Sequence, residues 1–353
     1  MTAYALTAAG ERWQLPPPLV WEIEYTSGIP CDSFLYRCPC AGVGGADPAS
    51  WYRVELYEGQ KLVFRGVVDE CVQTVSDGGQ LLELSGRGMA ALLLDNEALP
   101  QDYEAATLAD IIRDHVAPYG IQVAARPSLP PVSRFSVAAG SSEWSVIYQF
   151  AQYYSGITPR FDPTGRLLLE PQPAGDRLLM GDGTAIKKLT LRNRRYGVLS
   201  SVWVRDRYRD HIEKVDDPDF IAQGGCARRV ITIPGRGDWQ AMRYTGRYQL
   251  ERAADRRMTL ELEIPELFWA GAGQLVQINR SGFSHNGLYR VERATVRADQ
   301  TGGRTVLELT AVKETGRSAY VDIGTAAGTP RGGERSAGTG NLGRRPRRGF
   351  SRR

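Results

Sequence analysis

Four of the carboxylates within one short stretch of the sequence could in principle carry out acid–base chemistry. Residues 64–98, FRGVVDECVQTVSDGGQLLELSGRGMAALLLDNEA, contain Asp69, Glu70, Asp95 and Glu97. A glycosidase needs two carboxyl groups that face each other across a cleft. Asp69 and Glu70 are adjacent on a predicted strand, so we expect their side chains to point to opposite faces. A pair such as Glu70 and Glu97 would make the chain a peptidoglycan hydrolase, but helix capping and ion pairs with nearby arginines explain the four acids more simply.

Other types of active site leave no pattern in the sequence. The histidines are spread out at 115, 211 and 285, and His115 lies at the inward edge of an amphipathic helix, where a packed core histidine is commoner than a base. Serines do not occur in a G-x-S-x-G motif, and G-x4-G-K-[ST] is absent. We therefore predict a protein without catalytic residues, cofactors or bound metal.

The cysteines do not have the spacing of a zinc site. Cys31, Cys38 and Cys40 form a C-x6-C-x-C cluster, and Cys71 and Cys226 lie far from it. Structural zinc sites use four ligands, usually in paired C-x2-C or H-x3-H spacings. We expect buried or partly buried free thiols instead.

Charge is distributed unevenly along the 353 residues. Residues 324–353 have a net charge of +7, whereas the whole chain has a net charge of +4, so the net charge of the first 323 residues is −3. Eight glycines and only two large apolar residues in this tail predict that it has no core of its own. The tail is either a segment that binds an acidic partner or an unstructured solubilising segment. The arginines considered for partner binding are Arg344, Arg345, Arg347, Arg348, Arg352 and Arg353.

The periodicity of apolar residues changes three times along the chain. Residues 21–86 alternate apolar and polar positions, which is typical of strands, and Gly78-Gly79 predicts a tight hairpin. Two amphipathic helices follow, TLADIIRDHVAPYG and SSEWSVIYQFAQYYSG, the first with Thr107 and Asp110 at capping-box spacing. A hairpin, TPRFDPTGRLLLEP, completes a small α+β region, and strands return after Gly183.

One strand–turn–strand pattern occurs twice. The segment GVVDECVQTVSDGGQLLEL from Gly66 is similar to GLYRVERATVRADQTGGRTVLEL from Gly287, with a second turn that is three residues longer. The sequence therefore predicts a mainly β fold with an α+β insertion, in which two β-barrels are related by an internal repeat. The predicted domains are residues 1–100 (first barrel), 101–183 (small α+β domain), 184–320 (second barrel) and 321–353 (disordered Arg/Gly tail).

The order of these elements resembles that of baseplate hub proteins of contractile-tailed bacteriophages. The family includes the Mu-like tail hub and the late-control D protein, and more remotely the hub of T-even phages. The resemblance covers residues 17–315 and is carried by PLVWEIEYTSGIPCDSFLY, LVFRGVVDE, LLELSGRGMAALLLDNEA, SSEWSVIYQFAQYYSGITPRFDPTGRLLLEP, GLYRVERATV and TVLELTAVK. The residues of the resembling structural motif are Gly66, Asp69, Glu70, Gly78, Gly79, Gly86, Arg87, Asp95, Gly287, Tyr289, Gly302 and Gly303.

The resemblance implies a non-enzymatic homotrimer in the virion tail baseplate. Two tail-tube-like barrels in each of three chains would form a pseudo-sixfold ring between the hexameric tail tube protein above and the trimeric central spike protein below. Other baseplate proteins would surround it, and DNA would pass through its lumen without sequence-specific binding. The absence of a signal peptide or a long apolar stretch predicts synthesis in the bacterial host cytoplasm and no membrane partner.

Several alternatives remain open from the sequence. The particle could be an infectious phage, a defective prophage or a phage-tail-like bacteriocin, and its tail could be contractile or long and non-contractile. Neither the tail after Gly324 nor the segment CDSFLYRCPC has a counterpart in the family pattern. A surface that binds nucleic acid or membrane through the basic tail is a third functional class, besides a hub and a hydrolase.

Overall fold

A computed structural model describes most of the first 312 residues. The described ranges are 1–27, 32–40, 45, 47–125, 131–155, 157–170, 177–206, 211–233, 239–255 and 257–312. Cys31 and the Arg/Gly tail, including the six arginines considered for partner binding, lie outside the described residues.

Strands dominate the described part of the chain, and helices are confined to its middle. The strands are β1 (Thr2–Thr7), β2 (Arg12–Gln14), β3 (Val20–Thr26), β4 (Ser33–Pro39), β5 (Trp51–Glu58), β6 (Lys61–Ser76), β7 (Gly79–Gly88), β8 (Gln101–Ala106), β9 (Val123–Ala125), β10 (Val132–Val137), β11 (Arg160–Phe161), β12 (Leu167–Leu168), β13 (Leu178–Gly181), β14 (Lys188–Asn193), β15 (Ser201–Asp206), β16 (Ile212–Asp216), β17 (Arg228–Ile233), β18 (Met258–Ile264), β19 (Leu275–Asn279), β20 (Gly287–Asp299) and β21 (Gly302–Ala311). The helices are α1 (Ala91–Leu94), α2 (Leu108–His115), α3 (Glu143–Ser155), α4 (Pro218–Ala222) and α5 (Trp239–Asp255), with 3-10 turns at Pro48–Ser50 and Ala117–Tyr119.

One large sheet organises the molecule. Among the described residues it has 13 strands, in the order β14-β18-β21-β20-β3-β4-β7-β6-β5-β1-β2, and β19 and β13 continue from β20 as a branch. The predicted mainly β fold is confirmed. The strand pairing does not close into two separate barrels, however, because the path remains open at β2 and β14 and β20 pairs directly with β3.

Alternating side chains of these strands build a single main core. Buried residues contributed by both ends of the chain, such as Ile23, Leu84 and Leu309, belong to the same apolar cluster. Trp21 and Trp269 stack across it with ring centroids 6.0 Å apart. Since a strand presents every second side chain to one face, the apolar–polar alternation of the sequence places these residues inside.

The α+β region has a second apolar core. Thr107 and Asp110 form the predicted capping box at the start of α2, each side chain bonding to the backbone of the other residue. Ile112 of α2 and Ile147 of α3 are buried in this core, which also includes Val67 of β6. The two helices therefore pack over the end of the first strand–turn–strand unit.

A third, smaller core lies in the region between β14 and β18. Strands β16, β15 and β17 form a separate sheet, and α5 packs on it through Met242 and Leu250. Helix α5 differs from the sequence-based expectation that strands return after Gly183. The buried positions Met242, Gly246 and Leu250 recur every four residues, a helical signal that the many arginines around them obscure.

Candidate functional site: two hairpins and their free edges

The first hairpin, β6–β7, contains a β-bulge next to its acidic residues. Val68 faces Gly86 and Glu70 faces Ser85, so Asp69 is an extra residue in the ladder. From Glu70 the ladder continues without a shift to the last pair, Ser76 with Gly79. The bulge thus lies seven pairs from the turn.

The second hairpin, β20–β21, repeats this geometry. Val291 faces Leu309 and Arg293 faces Glu308, so Glu292 is the extra residue. Seven pairs follow, the last one joining Asp299 and Gly302. When each residue of the first hairpin is matched to the residue 223 positions later, the two bulges fall at the same position, the number of pairs after them is equal, and the turns align.

This register corrects the sequence alignment of the two hairpins. Both turns have two residues between the last pairs, so the second turn is not three residues longer. The ladders match Gly66 with Tyr289 and Gly79 with Gly302. The two features on which the sequences were aligned, the glycines Gly66 and Gly287 and the shared Leu-Glu-Leu, are therefore each two residues away from this structural match. The extra residues of the second copy therefore lie at the strand ends.

The bulge also overturns the prediction that Asp69 and Glu70 point to opposite faces. Val68 and Cys71 on either side both pack against the main core, whereas Asp69 and Glu70 are exposed. A bulge places two residues opposite one and changes the alternation of side chains. Both acids therefore lie on the outer face of the sheet.

Arg87 holds two of the four acids identified in the sequence. Its guanidinium donates to both oxygens of Asp69, from Nε at 2.7 Å and Nη2 at 3.0 Å, and to both oxygens of Asp95, from Nη1 at 3.0 Å and Nη2 at 2.6 Å. These hydrogen bonds raise the pKa of Arg87 and lower the pKa of Asp95. Asp69 and Asp95 thus act as structural ion-pair partners, while the side chains of Glu70 and Glu97 are exposed.

The second hairpin has a counterpart of this network, in which hydroxyl groups take the place of the arginine. Glu292, at the bulge, accepts from Thr310 Oγ1 at 3.0 Å, and Thr310 occupies the position matched to Arg87. The other carboxylate oxygen of Glu292 accepts from Ser27 Oγ at 2.8 Å, and the backbone carbonyl of Glu292 accepts from Ser27 N at 2.8 Å. In both hairpins the bulge acid is therefore bonded to the facing strand, although sequence reasoning did not single out Glu292.

Glycines of the first hairpin permit close approach of the strands at the bulge. A Cβ on Gly66 would lie 2.2 Å from the Arg87 carbonyl oxygen, and one on Gly86 would lie 2.0 Å from the Val67 carbonyl oxygen. At the turns, the positive φ expected of Gly-Gly occurs at matching residues of the two hairpins, Gly79 with a φ of 110° and Gly302 with a φ of 116°. Gly79 is the second glycine of its Gly-Gly pair, and Gly302 is the first of its pair. These glycines are therefore structural requirements of the hairpins.

The remaining motif residues have structural surroundings as well. A Cβ on Gly78 would make only an ordinary contact, 3.7 Å from Ser76 Oγ, and Gly287 begins β20. Tyr289 is buried and donates to the His285 carbonyl at 2.7 Å. A Cβ on Gly303 would lie 2.6 Å from Leu267 Cγ, so Leu267 packs directly on that backbone.

The repeat extends beyond the hairpins to the order of strands. In the N-terminal set the strands lie in the order β3-β4-β7-β6-β5-β1, and in the C-terminal set in the order β14-β18-β21-β20-β19-β13. Corresponding strands follow one another in the same sequence along the chain. One difference is that β1 runs antiparallel to β5 whereas β13 runs parallel to β19.

The two sets differ in what covers the outer half of the long hairpin strand. Residues 293–298 of β20 pair antiparallel with residues 21–26 of β3, which joins the C-terminal set to the N-terminal set. The matching residues 70–75 of β6 pair only with β7 among the described residues. Likewise β14, which matches β3, pairs only with β18. Among the described residues, the second edge of the outer half of β6 and the outer edge of β14 are therefore both unpaired, as are the outer edges of the peripheral strands β2 and β13.

A buried polar cluster in the α+β region includes a residue that sequence reasoning missed. His115 is buried as expected, but its Nδ1 lies 2.5 Å from Glu143 Oε2 and its Nε2 lies 3.0 Å from the Tyr103 hydroxyl. Tyr119 also donates to Glu143 at 3.0 Å. The cluster ties α2, α3 and β8 together; an acid at a helix start 28 residues away carries no sequence signal of such a contact.

The thiols and other candidate ligands do not gather into a metal site within the described ranges. Cys38, Cys40, Cys71 and Cys226 are free, with Cys38 buried and Cys226 exposed. Burial, together with Cys40 and Cys71 nearby, raises the pKa of Cys38 to about 11. No described group of three or more His, Cys, Asp or Glu residues could hold a metal ion. Of the described helices, none is both long and apolar enough to cross a membrane.

Comparisons with known proteins identify what this architecture is similar to. Residues 90–171 match the family model of the second domain of the gp44-like baseplate hub protein. No curated protein matches the chain. The match confirms the resemblance to phage baseplate hub proteins that the sequence motifs indicated.

Solved structures show the same fold over most of the chain. A tail protein from Neisseria meningitidis MC58 is 16% identical, with a TM-score of 0.69 over 88% of this chain and 96% of that one. The 43 kDa tail protein of prophage MuSo2 from Shewanella oneidensis is 15% identical, with a TM-score of 0.71 over 88% and 98%. An Escherichia coli protein is 11% identical, with a TM-score of 0.54 over 84% and 74%; it is described as a type VI secretion component with structural similarity to T4 tail proteins gp27 and gp5.

Proposed function

We propose that the chain is the structural hub of a phage or phage-tail-like baseplate, and that three copies form a pseudo-sixfold ring. The observation that carries this proposal is the repeated strand order, because it gives each chain two nearly equivalent β units. The fold shared with phage tail proteins and the gp44-like match of residues 90–171 support the assignment to a baseplate.

A duplicated unit is suited to joining components of different symmetry. A ring of three chains with two similar units each presents six similar positions on one side and threefold symmetry on the other. We propose that the sixfold side contacts the tail tube protein and the threefold side contacts the central spike, while other baseplate proteins bind outside. DNA would pass through the lumen without sequence-specific contacts.

The domain bounds of this proposal follow the sequence. Residues 1–100 and 184–320 would supply the tube-like units, together with β13, which lies before residue 184 but pairs with β19. The rest of residues 101–183 would form the small α+β domain, and residues 321–353 a tail whose role is either partner binding or solubility. The shared sheet and main core join the N-terminal and C-terminal sets within one chain. The protein would be made in the host cytoplasm and incorporated into the virion tail.

The proposed role is not enzymatic. Asp69 and Asp95 are bonded to Arg87, and Glu70 and Glu97 have exposed side chains. A hydrolase would need two of these acids to face each other across a cleft. Clearing of a cell-wall gel by the purified chain, abolished in Glu97→Gln, would contradict this part of the proposal.

Oligomeric size tests the hub assignment. Light scattering on the purified chain should give three times the chain mass of 39.0 kDa, and a mixture with the spike protein of the same particle should give that mass plus the mass of the bound spike. An obligate assembly of this type should bury about 2,000 Å² or more at each interface. A chain that remains monomeric in both samples at high concentration would overturn the proposal.

A further inference from the structure

The pairing inside the chain offers a template for contacts between chains. Residues 293–298 of β20 pair with residues 21–26 of β3, from Arg293 facing Thr26 to Ala298 facing Trp21. This contact joins the outer half of one long hairpin strand to the first strand of the other set. The second edge of the outer half of β6 and the outer edge of β14, both unpaired among the described residues, are the matching pieces of the same contact.

The register of the missing contact follows from the ladders. Arg87 faces Ser33, and Thr310, its match, faces Thr259. In the next ladder, Ser33 faces Glu24 and Thr259 faces Arg192. Positions 20–26 of β3 therefore match positions 188–194, 168 residues later, just as β6 matches β20.

We propose that residues 70–75 of β6 in one protomer pair antiparallel with residues 189–194, at β14, of the neighbouring protomer. Glu70 would face Arg194, Thr74 would face Thr190, and Val75 would face Leu189. The partner is a second copy of this chain, and the proposal rests on the ring described above. It specifies which strands close the ring and in which register.

Charge supports this register. Within the chain, Arg293 lies 3.3 Å from Glu24, the residue diagonal to it across the β20–β3 ladder. The matching residues between protomers are Glu70 and Arg192, so the pair recurs with its signs reversed. Arg192 is half-exposed in its ion pair with Glu261, which leaves room for a second acid. Opposite charges across strands stabilise a ladder, whereas like charges destabilise it.

Exposure supports the same edges. Val75 is 76% exposed, although the residue that matches it, Ala298, packs against the main core. Leu189, which would face Val75, is only partly buried on β14. An uncovered edge with exposed apolar residues invites pairing with another chain, and a second copy supplies an edge of matching length.

A designed disulfide tests the pairing directly. We would combine Thr74→Cys with Thr190→Cys. Thr74 matches Arg297 and Thr190 matches Glu22, and these two residues face each other within the chain, with Arg297 Nη1 3.5 Å from Glu22 Oε2. Directly facing residues of an antiparallel ladder have Cα atoms about 4.5–5.5 Å apart, which lies within the range of Cα separations that a disulfide spans. The exposed Cys226 would be replaced by Ser in all variants, and the two single variants report background linkage.

We expect oxidation of the double variant to give covalent dimers and trimers on a non-reducing gel, with no such products from either single variant. A trimer by light scattering that forms no linked products would overturn the strand pairing and leave the hub assignment standing. A monomer in every sample, with or without spike protein, would overturn both.

Charge reversal provides an independent measurement. Glu70→Arg would place a cation opposite Arg192 and Arg194, and the concentration at which the trimer dissociates should rise at least about tenfold. Adding Arg194→Glu to Glu70→Arg should restore much of the assembly, and Glu97→Arg, another exposed acid, should leave it unchanged. Equal effects of Glu70→Arg and Glu97→Arg, or no rescue by the double change, would contradict the proposed register.

Discussion

A single arginine, Arg87, forms ion pairs with two of the four acids, Asp69 and Asp95. Arg87 lies on β7 and bridges the bulge at Asp69 to the residue that follows α1, Asp95. Bidentate pairs fix geometry more firmly than single contacts, because both partners are planar and each hydrogen bond constrains the other. The network therefore fastens α1 to the outer face of the hairpin, and all its members are partly exposed.

Replacing Arg87 by methionine should lower stability modestly. The side chain keeps its length but loses both carboxylate pairs, so we expect the free energy of unfolding to fall by about 1 kcal/mol, since solvent screens groups that are this exposed. Urea denaturation would measure it. Arg113→Met is the matched control, because the Arg113 side chain is 65% exposed, against 35% for Arg87, and its pairs should contribute less. Equal losses from both variants would contradict the structural role of Arg87.

Asp32 should make stability depend on pH. Burial raises the pKa of this carboxyl to about 6, although Thr26 N donates to it at 2.8 Å. Because the folded pKa exceeds the unfolded value of about 3.9, the folded state binds the proton more tightly. The stabilisation from that proton is fully present below pH 4 and is lost as the pH rises through 6.

The variant Asp32→Asn isolates this contribution. Its amide oxygen can still accept from Thr26, and it has no charge to bury. The difference in melting temperature between Asp32→Asn and the unchanged protein should grow in favour of the variant from pH 4 to pH 7. A difference that stays constant over this range would show that folding leaves the pKa of Asp32 unchanged, and a change in the opposite direction would show that folding lowers it; either result would contradict the prediction.

The hairpin is the element whose geometry depends most closely on individual glycines. Gly86→Ala should cost about 2 kcal/mol or more, since its Cβ would meet backbone 2.0 Å away and the strands would have to separate at the bulge. Gly78→Ala, eight residues earlier, is the control: its nearest neighbour would be 3.7 Å away and its φ is not positive. Similar melting temperatures for the two variants would contradict the close approach at Gly86.

Elements with a clean periodicity could be predicted from the sequence. The capping box at Thr107 and Asp110, the helix that follows it and the hairpin turn at Gly78-Gly79 all depend on local signals. The bulges at Asp69 and Glu292 could not be predicted, because a bulge depends on how two strands meet. Helix α5 was missed since its buried residues recur among exposed arginines, and the partner of His115 lies 28 residues away.

The free edges were also beyond sequence reasoning, although the repeat itself was visible. Aligning the copies on Gly66 and Gly287 displaced the match by two residues, and an even displacement keeps every side chain on the correct face. The alternation of apolar residues therefore could not reveal the error. Only the ladder pairs of β6 and β20 fix the correspondence between Glu70 and Arg293.

At the scale of the whole molecule, the repeated strand order is the feature on which the proposed adaptor role rests. One β20–β3 contact inside each chain and one equivalent contact between chains would alternate around a closed ring. Head-to-tail contacts close only when their rotation fits a whole number of copies. Two units per chain and three chains give the six positions that a hexameric tube requires.

Electron microscopy of the purified oligomer tests this central claim most directly. We expect top views of a closed ring with threefold symmetry and six similar β-rich lobes around a central channel. The small α+β domains should appear as three additional densities, one for every two lobes. A particle with two-fold symmetry, an open filament, or a ring whose lobes number other than six would contradict the account.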